Sequence, residues 1–269
     1  MNLDQGTLEL IELHNFFAET RYGQALAKNI RYGRYKPAYW SNEKWERVLG
    51  PDVNNLKHLL HVLLSTKKFL ETEKKFSPRD YSLFSLSAIT HDWGEAIVGD
   101  VISDLKTDAE ERRELIAFRE VVSKVLGIYK KDYRKMITCL EEIVFCHCEP
   151  LDYNYDLHLV FKKTIEELIA ENTALRAWRQ AKKYPREASR LRWITLNVFV
   201  YLPNLLNNAE KFLSIRKFFS ANKKTITEIF TAMPAETFEH YNYDPAEKTQ
   251  KIAMFEKTKN LWLESRYAE

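Results

Sequence analysis

The sequence predicts an all-α protein built as a helical bundle, and its composition and apolar periodicity carry that prediction. Seven glycines and eight prolines in 269 residues are about 2.6% and 3%, below the ~7% and ~5% of average proteins. The chain therefore has few of the breaks that short strands need. Apolar residues recur at helical spacing along most of its length. With 45% hydrophobic residues, the chain can bury a sizeable core.

The N-terminal part predicts two helices separated by a loop. Apolar positions at helical spacing predict a helix over residues 7–28. A basic and aromatic stretch, interrupted by Gly33 and Pro37, predicts a loop over residues 29–40. A leucine stripe then predicts a helix over residues 52–71.

Capping residues mark the next two helix starts. Ser77 is a capping residue, Pro78 suits the first helical position, and Asp80 can reach back to the free amides. Asp108 with Glu111 predicts a second start of the same kind. Further helices are expected over residues 133–145, 157–170, 191–218 with Pro203 as a kink or break, 225–233 and 245–264.

The expected organisation has three parts within one structural domain. Residues 1–50 supply the N-terminal helix and the basic, aromatic loop. Residues 51–180 form the core that carries the candidate chemistry. Residues 181–269 supply C-terminal helices that pack on this core or form an oligomer such as a homodimer, and the sequence does not discriminate between these roles.

Charge and cysteine content indicate an intracellular protein. The formal net charge is +3 with 29% charged residues of both signs, which demands neither nucleic acid nor an anionic membrane as a partner, although nucleic acid stays open. No apolar run approaches 18 residues, and the N-terminus lacks the regions of a signal peptide. Cys139, Cys146 and Cys148 cannot all pair, so a reducing compartment is the simpler assumption. We therefore expect no membrane partner and a cytoplasmic location.

The densest group of chemical side chains lies in residues 90–100. This stretch contains an imidazole, three carboxylates and two glycines. His91 and Asp92 are adjacent potential metal ligands, and Glu95 falls four residues after His91, on nearly the same face of a helix. Such a group suits a divalent ion that activates a water for attack on phosphorus or carbonyl carbon.

A histidine early in the preceding leucine-rich helix extends this pattern. His58 stands 33 residues before His91, and His61 lies one turn later on the same helix. Together with the run His-Asp-x-x-Glu-x-x-x-Gly-Asp, this arrangement resembles the HD-domain superfamily of metal-dependent phosphohydrolases. The run is most similar to the 5'-deoxynucleotidase-like branch, and the resemblance covers roughly residues 50–180. It implies an HD-type helical bundle with additional C-terminal helices.

The resemblance also implies a set of metal ligands. His58 matches the first ligand better than His61, which is the fallback, and His91 and Asp92 follow. The family closes its site with an aspartate on a later helix, and the matching position here is Glu166, with Glu167 as its nearest rival. Imidazole plus carboxylate suits one Mn, Co, Fe or Zn ion, whereas the all-oxygen preference of Mg makes it less apt.

The same resemblance assigns roles around the ion. Glu95 would manage the proton, and Asp100 would fix the water or a sugar hydroxyl. An arginine before the first histidine contacts the nucleotide in related enzymes. The resemblance therefore makes Arg31 and Arg34 candidates for substrate binding and does not choose between them. Lys106, in the segment after the run, is a third candidate for substrate binding.

Three functions compete on the sequence alone. The first is a phosphohydrolase acting on a deoxynucleoside monophosphate or on a triphosphate. The second is an HD-type phosphodiesterase or nuclease acting on a cyclic nucleotide, an alarmone or nucleic acid. The third is a non-catalytic helical binding protein, against which intact Glu95 and Asp100 argue. A separate zinc site at Cys146-His147-Cys148 is disfavoured, since no second pair of ligands follows at finger-like spacing.

Overall fold

The protein is all-α in every part of the chain that the structure describes. The computed structural model describes residues 4–100, 106–129, 133–145, 157–199, 201–233 and 245–268. These residues form helices and turns without a strand, which confirms the predicted fold class. An isolated antiparallel bridge joins Ile30 to Asn54. In the same ranges, each helix is too short or too polar to cross a membrane.

The helices are numbered here in chain order. They are α1 Gln5–Glu19, α2 Arg21–Leu26, α3 Asn42–Leu49, α4 Asn55–Glu73, α5 Pro78–Thr90, α6 Glu95–Val98, α7 Asp108–Ile128, α8 Ile137–Phe145, α9 Glu167–Lys183, α10 Ala188–Phe199, α11 Leu202–Asn208, α12 Leu213–Ala232 and α13 Pro245–Leu263. Short 3-10 helices cover Gly33–Tyr35, Pro51–Val53, Arg134–Met136 and Pro185–Glu187, and a π-helical turn covers Phe161–Glu166.

Contacts divide the chain into two compact units, each assembled from two segments. Unit one contains Met1–Arg31 and Pro51–Ile165, and unit two contains Tyr32–Gly50 and Glu166–Glu269. The expectation of a single structural domain stays a prediction. Unit one carries His58 and the stretch of residues 90–100.

The core of unit one is organised by α4 and α5. Helix α4 buries the stripe that its leucine spacing predicted, and α5 packs along it and also contacts α1 and α8. The buried apolar side chains of α4 are Leu59, Val62, Leu63, Phe69 and Leu70, and those of α5 are Leu83, Phe84, Leu86, Ala88 and Ile89. This packing brings the N-terminal turns of α4 next to the C-terminal end of α5.

One predicted helix is two helices. The prediction of a continuous helix over residues 7–28 is wrong because Thr20 adopts an extended backbone with φ −73° and ψ 160°. Its hydroxyl donates to the carbonyl of Phe17 and accepts from the amide of Gly23. Thr20 thus ends α1 and caps α2, a use of threonine that competes with a continuous helix.

The helix starts were predicted with mixed success. Ser77 and Asp80 form the expected reciprocal capping box at the start of α5. For α7, the capping residue is Thr107, whose side chain accepts from the amide of Glu110. The prediction that Asp108 caps this helix is therefore wrong by one residue, since Asp108 is already inside the first turn.

Boundaries elsewhere differ from the predictions by a few residues or by a break. Helix α3 was not predicted, although Ser41 caps it through the amide of Lys44. Helix α4 begins after Asn54, later than predicted, because the three residues from Pro51 form a 3-10 turn. Pro203 lies in the first turn of α11, where proline is tolerated, so the predicted helix over residues 191–218 divides into parts of α10, α11 and α12.

Unit two contains a buried carboxyl group without a hydrogen-bond donor. Glu171 on α9 is 0% exposed, and neither of its side-chain oxygens has a partner among the described residues. Its burial, together with the carboxylate of Glu167 one helical turn earlier, raises the pKa of Glu171 well above its usual value. A carboxyl pKa raised by folding lowers the free energy of unfolding as pH rises from the ordinary glutamate pKa towards the raised pKa, because the unfolded chain releases a proton that the folded protein keeps.

We expect Glu171→Met to raise the free energy of unfolding near neutral pH by about 1–4 kcal/mol, the range found when buried ion pairs are replaced by well-packed apolar residues. The gain should shrink as pH falls towards the ordinary glutamate pKa, because wild-type Glu171 is then neutral in both states. Urea unfolding at pH 5 and pH 8 measures this. Glu264→Met, at an exposed position, is the control, and a pH-independent gain would contradict the electrostatic cause.

Candidate metal centre

Three potential metal ligands converge at the junction of α4 and α5. His58 lies in the first turns of α4, His91 is the residue that ends α5, and Asp92 follows it. Their relative exposures are 4%, 1% and 6%. Because α4 and α5 pack along each other, their apolar stripes fix where these polar groups meet.

The ligand atoms have the spacing of a coordination sphere. His91 Nε2 lies 3.3 Å from His58 Nε2 and 3.3 Å from Asp92 Oδ1, and His58 Nε2 lies 3.7 Å from Asp92 Oδ2. Ligands about 2.1 Å from a tetrahedral ion lie about 3.4 Å from one another. The observed separations match this value. His58, His91 and Asp92 therefore could hold a metal ion, as their sequence pattern predicted.

The other nitrogen of each imidazole is held by an acceptor. His91 Nδ1 lies 3.1 Å from the carbonyl oxygen of Ala88, so it donates its proton there. His58 Nδ1 lies 3.0 Å from Asp52 Oδ1. With both protons on Nδ1, the two Nε2 lone pairs face each other and the carboxylate of Asp92. A cation at this point would relieve the repulsion between these lone pairs.

Electrostatics favour the ligand forms of these side chains. Burial, followed by the nearby charge of Arg31, lowers the pKa of His58 to about 4. Burial alone would raise the pKa of Asp92, but the positive charge of Arg31, whose Nη1 lies 2.8 Å from Asp92 Oδ2, helps to hold it well below its usual value. His58 is therefore neutral and Asp92 ionised at physiological pH, and these are the states in which both bind metals.

Glu95 lies beside the cluster in a buried hydrogen-bonded setting. Its Oε2 accepts from Nδ2 of the fully buried Asn55, and its backbone carbonyl accepts from Asn29 Nδ2 at 3.2 Å. Burial, and then the negative charge of Asp92, raise the pKa of Glu95 well above its usual value. The chain thus holds a carboxyl group that favours its neutral form next to the candidate ligands.

Close packing fixes the turn between Asp92 and Glu95. Trp93 is fully buried and stacks on Phe17, with ring centroids 4.2 Å apart and planes within 7° of parallel. A Cβ at Gly94 would approach within 2.8 Å of the Glu114 carbonyl oxygen. Only glycine at position 94 therefore lets α7 lie this close to the start of α6.

Comparisons of the chain with family models, curated proteins and solved structures found no match. The resemblance of residues 50–180 to the HD-domain superfamily therefore stays a prediction. The geometry of the metal centre has to support the function by itself.

Arg31 is the predicted substrate-binding cation that reaches the cluster. Its Nη1 lies 2.8 Å from Asp92 Oδ2, and its side chain is 26% exposed. Arg34 belongs to unit two, where its guanidinium lies 5.0 Å from the ring centroids of Tyr35 and Trp193. Lys106 pairs with Glu114 in unit one. The substrate-binding roles of these three cations stay predictions.

Asp100 and Glu166, the predicted fourth ligand, are not members of the cluster found among the described residues. Asp100 is exposed and follows Gly99, whose φ of +83° favours glycine. Glu166 ends the π-helical turn and is the first residue of the second segment of unit two, so its role as ligand stays a prediction. The stretch Cys146-His147-Cys148 lies outside the described residues.

We expect Glu166→Gln to weaken uptake of Mn²⁺ or Zn²⁺, because the variant loses a charged ligand of the predicted set. The matched control is Glu167→Gln, which keeps the oxygen that accepts from Asn204 and should bind metal as the wild type does. Isothermal titration of both variants measures the difference. Wild-type affinity in both would place the fourth ligand elsewhere.

Two residues of this site were missed from the sequence. Asp52 reads as the first residue of a predicted helix, and Asn55 reads as a polar residue beside a capping asparagine. The only sequence signal for Asp52 is its position six and nine residues before His58 and His61. This spacing has a structural meaning only when the 3-10 helix that precedes α4 is known. No periodicity in the sequence signals the contact between Asn55 and Glu95.

Proposed function

We propose that this protein is an HD-type, metal-dependent phosphohydrolase that hydrolyses the phosphate ester of a nucleotide. A 5'-monophosphate is the first candidate substrate, and a deoxynucleoside triphosphate is the second. The observation that carries the proposal is the convergence of His58, His91 and Asp92. The run that continues to Glu95 and Asp100 supports the choice of phosphoester chemistry through its resemblance to the family.

The donor set fits a divalent transition ion better than magnesium, because two of its three atoms are imidazole nitrogens. His58, His91 and Asp92 would hold the ion. When bound, such an ion supplies Lewis acidity that favours attack of water on phosphorus. Every other part of the reaction falls to side chains of the protein.

Glu95 is the group that holds or moves a proton. Its Oε2 accepts the N–H of Asn55, so the proton of the neutral carboxyl group sits on Oε1. Asn55 therefore decides which oxygen exchanges a proton with the reacting atoms. A buried carboxyl with a raised pKa is suited to general acid–base work near neutral pH.

Arg31 supplies the positive charge that a phosphate group requires. Its guanidinium lies beside Asp92 and is partly exposed, so an anionic substrate can approach it from solvent. A guanidinium has five N–H donors in a planar fork that matches phosphate oxygens. Arg31 would bind and orient the phosphate next to the metal ligands.

A substrate panel tests the proposal. Purified protein loaded with Mn²⁺ or Co²⁺ is incubated with nucleoside mono-, di- and triphosphates, cyclic dinucleotides and single-stranded DNA. We expect release of inorganic phosphate from a monophosphate, and His91→Ala is the negative control. Release of triphosphate from a dNTP would assign the triphosphohydrolase variant, and cleavage of only cyclic or polymeric substrates would assign a phosphodiesterase. No turnover of any substrate by metal-loaded protein would refute the proposal.

A further inference from the structure

Asp52 joins two histidines that the sequence presents as rival metal ligands. Its Oδ1 lies 3.0 Å from His58 Nδ1 and 2.6 Å from His61 Nδ1. The carboxylate is buried, with 8% of its side chain exposed, whereas the side chain of His61 is 34% exposed. One oxygen atom of Asp52 therefore accepts hydrogen bonds from a buried imidazole and from a partly exposed one.

This arrangement separates the roles of the two imidazoles. Both direct Nδ1 at Asp52, but only His58 directs Nε2 at His91 and Asp92, at 3.3 Å and 3.7 Å. His61 is not a member of the cluster of potential ligands found among the described residues. His61 is thus a neighbour of Asp52, and the ligand role falls to His58.

Asp52 offers one carboxylate oxygen to the Nδ1 atoms of both imidazoles. A carboxylate oxygen at 3.0 Å and 2.6 Å from these atoms accepts the Nδ1–H of each ring. An anionic acceptor at Nδ1 fixes the proton of a neutral imidazole on that nitrogen and increases the electron density at Nε2.

We propose that Asp52 is a positioning residue of the metal centre, which fixes the ring orientation and the Nδ1-protonated tautomer of His58, while His61 holds the carboxylate from the solvent side. His91 obtains its orientation from a neutral carbonyl, that of Ala88. The two imidazoles therefore differ, because Nδ1 of His58 donates to a carboxylate and Nδ1 of His91 donates to a backbone carbonyl. This inference rests on the metal centre of the proposed function.

The first test needs neither metal nor turnover. Nitrogen-15 NMR of the metal-free wild type should show His58 protonated on Nδ1 and unprotonated on Nε2. His158, whose Nδ1 contacts the carbonyl of Ile143 at 2.8 Å, is an internal reference that Asp52 does not touch. A His58 proton on Nε2 would overturn the inference even if the protein never hydrolysed a nucleotide.

The second test measures metal affinity. Asp52→Asn keeps an oxygen acceptor and loses the charge, and it should weaken Zn²⁺ or Mn²⁺ binding about 10–100-fold, as substitutions of this kind typically do. His61→Gln can still donate to Asp52 and should bind metal within about threefold of wild type. Thermal unfolding of the metal-free variants checks that they fold.

The outcomes separate this inference from the proposed function. Loss of metal uptake in His61→Gln would make His61 the ligand and overturn the inference. Wild-type affinity in a folded Asp52→Asn would also overturn it. If the wild type binds no divalent transition metal, the proposed function fails, and the tautomer of His58 alone decides whether Asp52 orients the ring.

Discussion

Replacing Asp92 or His91 by alanine should abolish uptake of a divalent transition metal, and with it any phosphohydrolase activity. Wild-type protein should bind about one ion per chain, whereas each variant should bind at least about 100-fold more weakly, because even residues behind the ligands typically contribute 10–100-fold. Asp92 is the only carboxylate in the cluster. Its loss would remove the carboxylate that lies 2.8 Å from Arg31 and within 3.7 Å of both imidazoles.

Matched controls are available for both substitutions in unit one. His14 is also buried, and its Nε2 lies 2.9 Å from the carbonyl of Leu56, so His14→Ala removes a buried imidazole without touching the cluster. Asp108 is exposed in the first turn of α7, so Asp108→Ala removes a carboxylate. Elemental analysis after chelator-free purification and titration with Zn²⁺ and Mn²⁺ decide the matter. Metal uptake by Asp92→Ala equal to that of the controls would refute the metal centre.

Part of the cluster could be predicted from local sequence, whereas the choice of His58 over His61 came from the resemblance to the HD-domain superfamily. His91 and Asp92 are adjacent in the chain, and His58 lies on a helix whose leucine stripe shows which face is buried. Two amphipathic helices in sequence tend to pack on each other, which brings their polar residues at the junction together. The structure shows the same three residues within ligand distance.

The residues behind the cluster could not be predicted because they depend on backbone turns. Asp52 reaches His58 only because the three residues from Pro51 form a 3-10 turn that delays the start of α4 until Asn55. The predicted helix over residues 52–71 would place Asp52 on a regular helix instead. An error of two or three residues at a helix boundary does not change the predicted fold class. It does hide the contact between Asp52 and His58 from a prediction based on sequence.

The same reasoning explains the errors in the fold. Periodicity of apolar residues continues across Thr20, so the sequence predicts one helix where the hydroxyl of Thr20 ends α1 and starts α2. At α7, Thr107 and Asp108 are both residues that commonly cap helices. The structure uses Thr107, whose side chain accepts from the amide of Glu110. Such helix boundaries are decided by side chains that compete with the backbone for hydrogen bonds. The hydrophobic pattern of the sequence does not show where this competition ends a helix.

Glu95→Gln should reduce turnover by about 10²–10⁴-fold, the usual contribution of a positioned acid or base, while metal uptake remains close to that of wild type. Glutamine has nearly the same shape as glutamic acid, and its amide oxygen can still accept the N–H of Asn55. It carries no proton that it can exchange. Steady-state phosphate release and metal titration on the same preparation separate loss of chemistry from loss of metal.

The control for this substitution is Glu142→Gln, since Glu142 on α8 is also buried in unit one and is not a member of the cluster. It should retain both turnover and metal uptake. If Glu95→Gln kept wild-type turnover, the proton would have to be moved by another group. If it lost metal together with activity, Glu95 would belong to the ligand set, because a residue that only exchanges a proton leaves the affinity of His58, His91 and Asp92 unchanged.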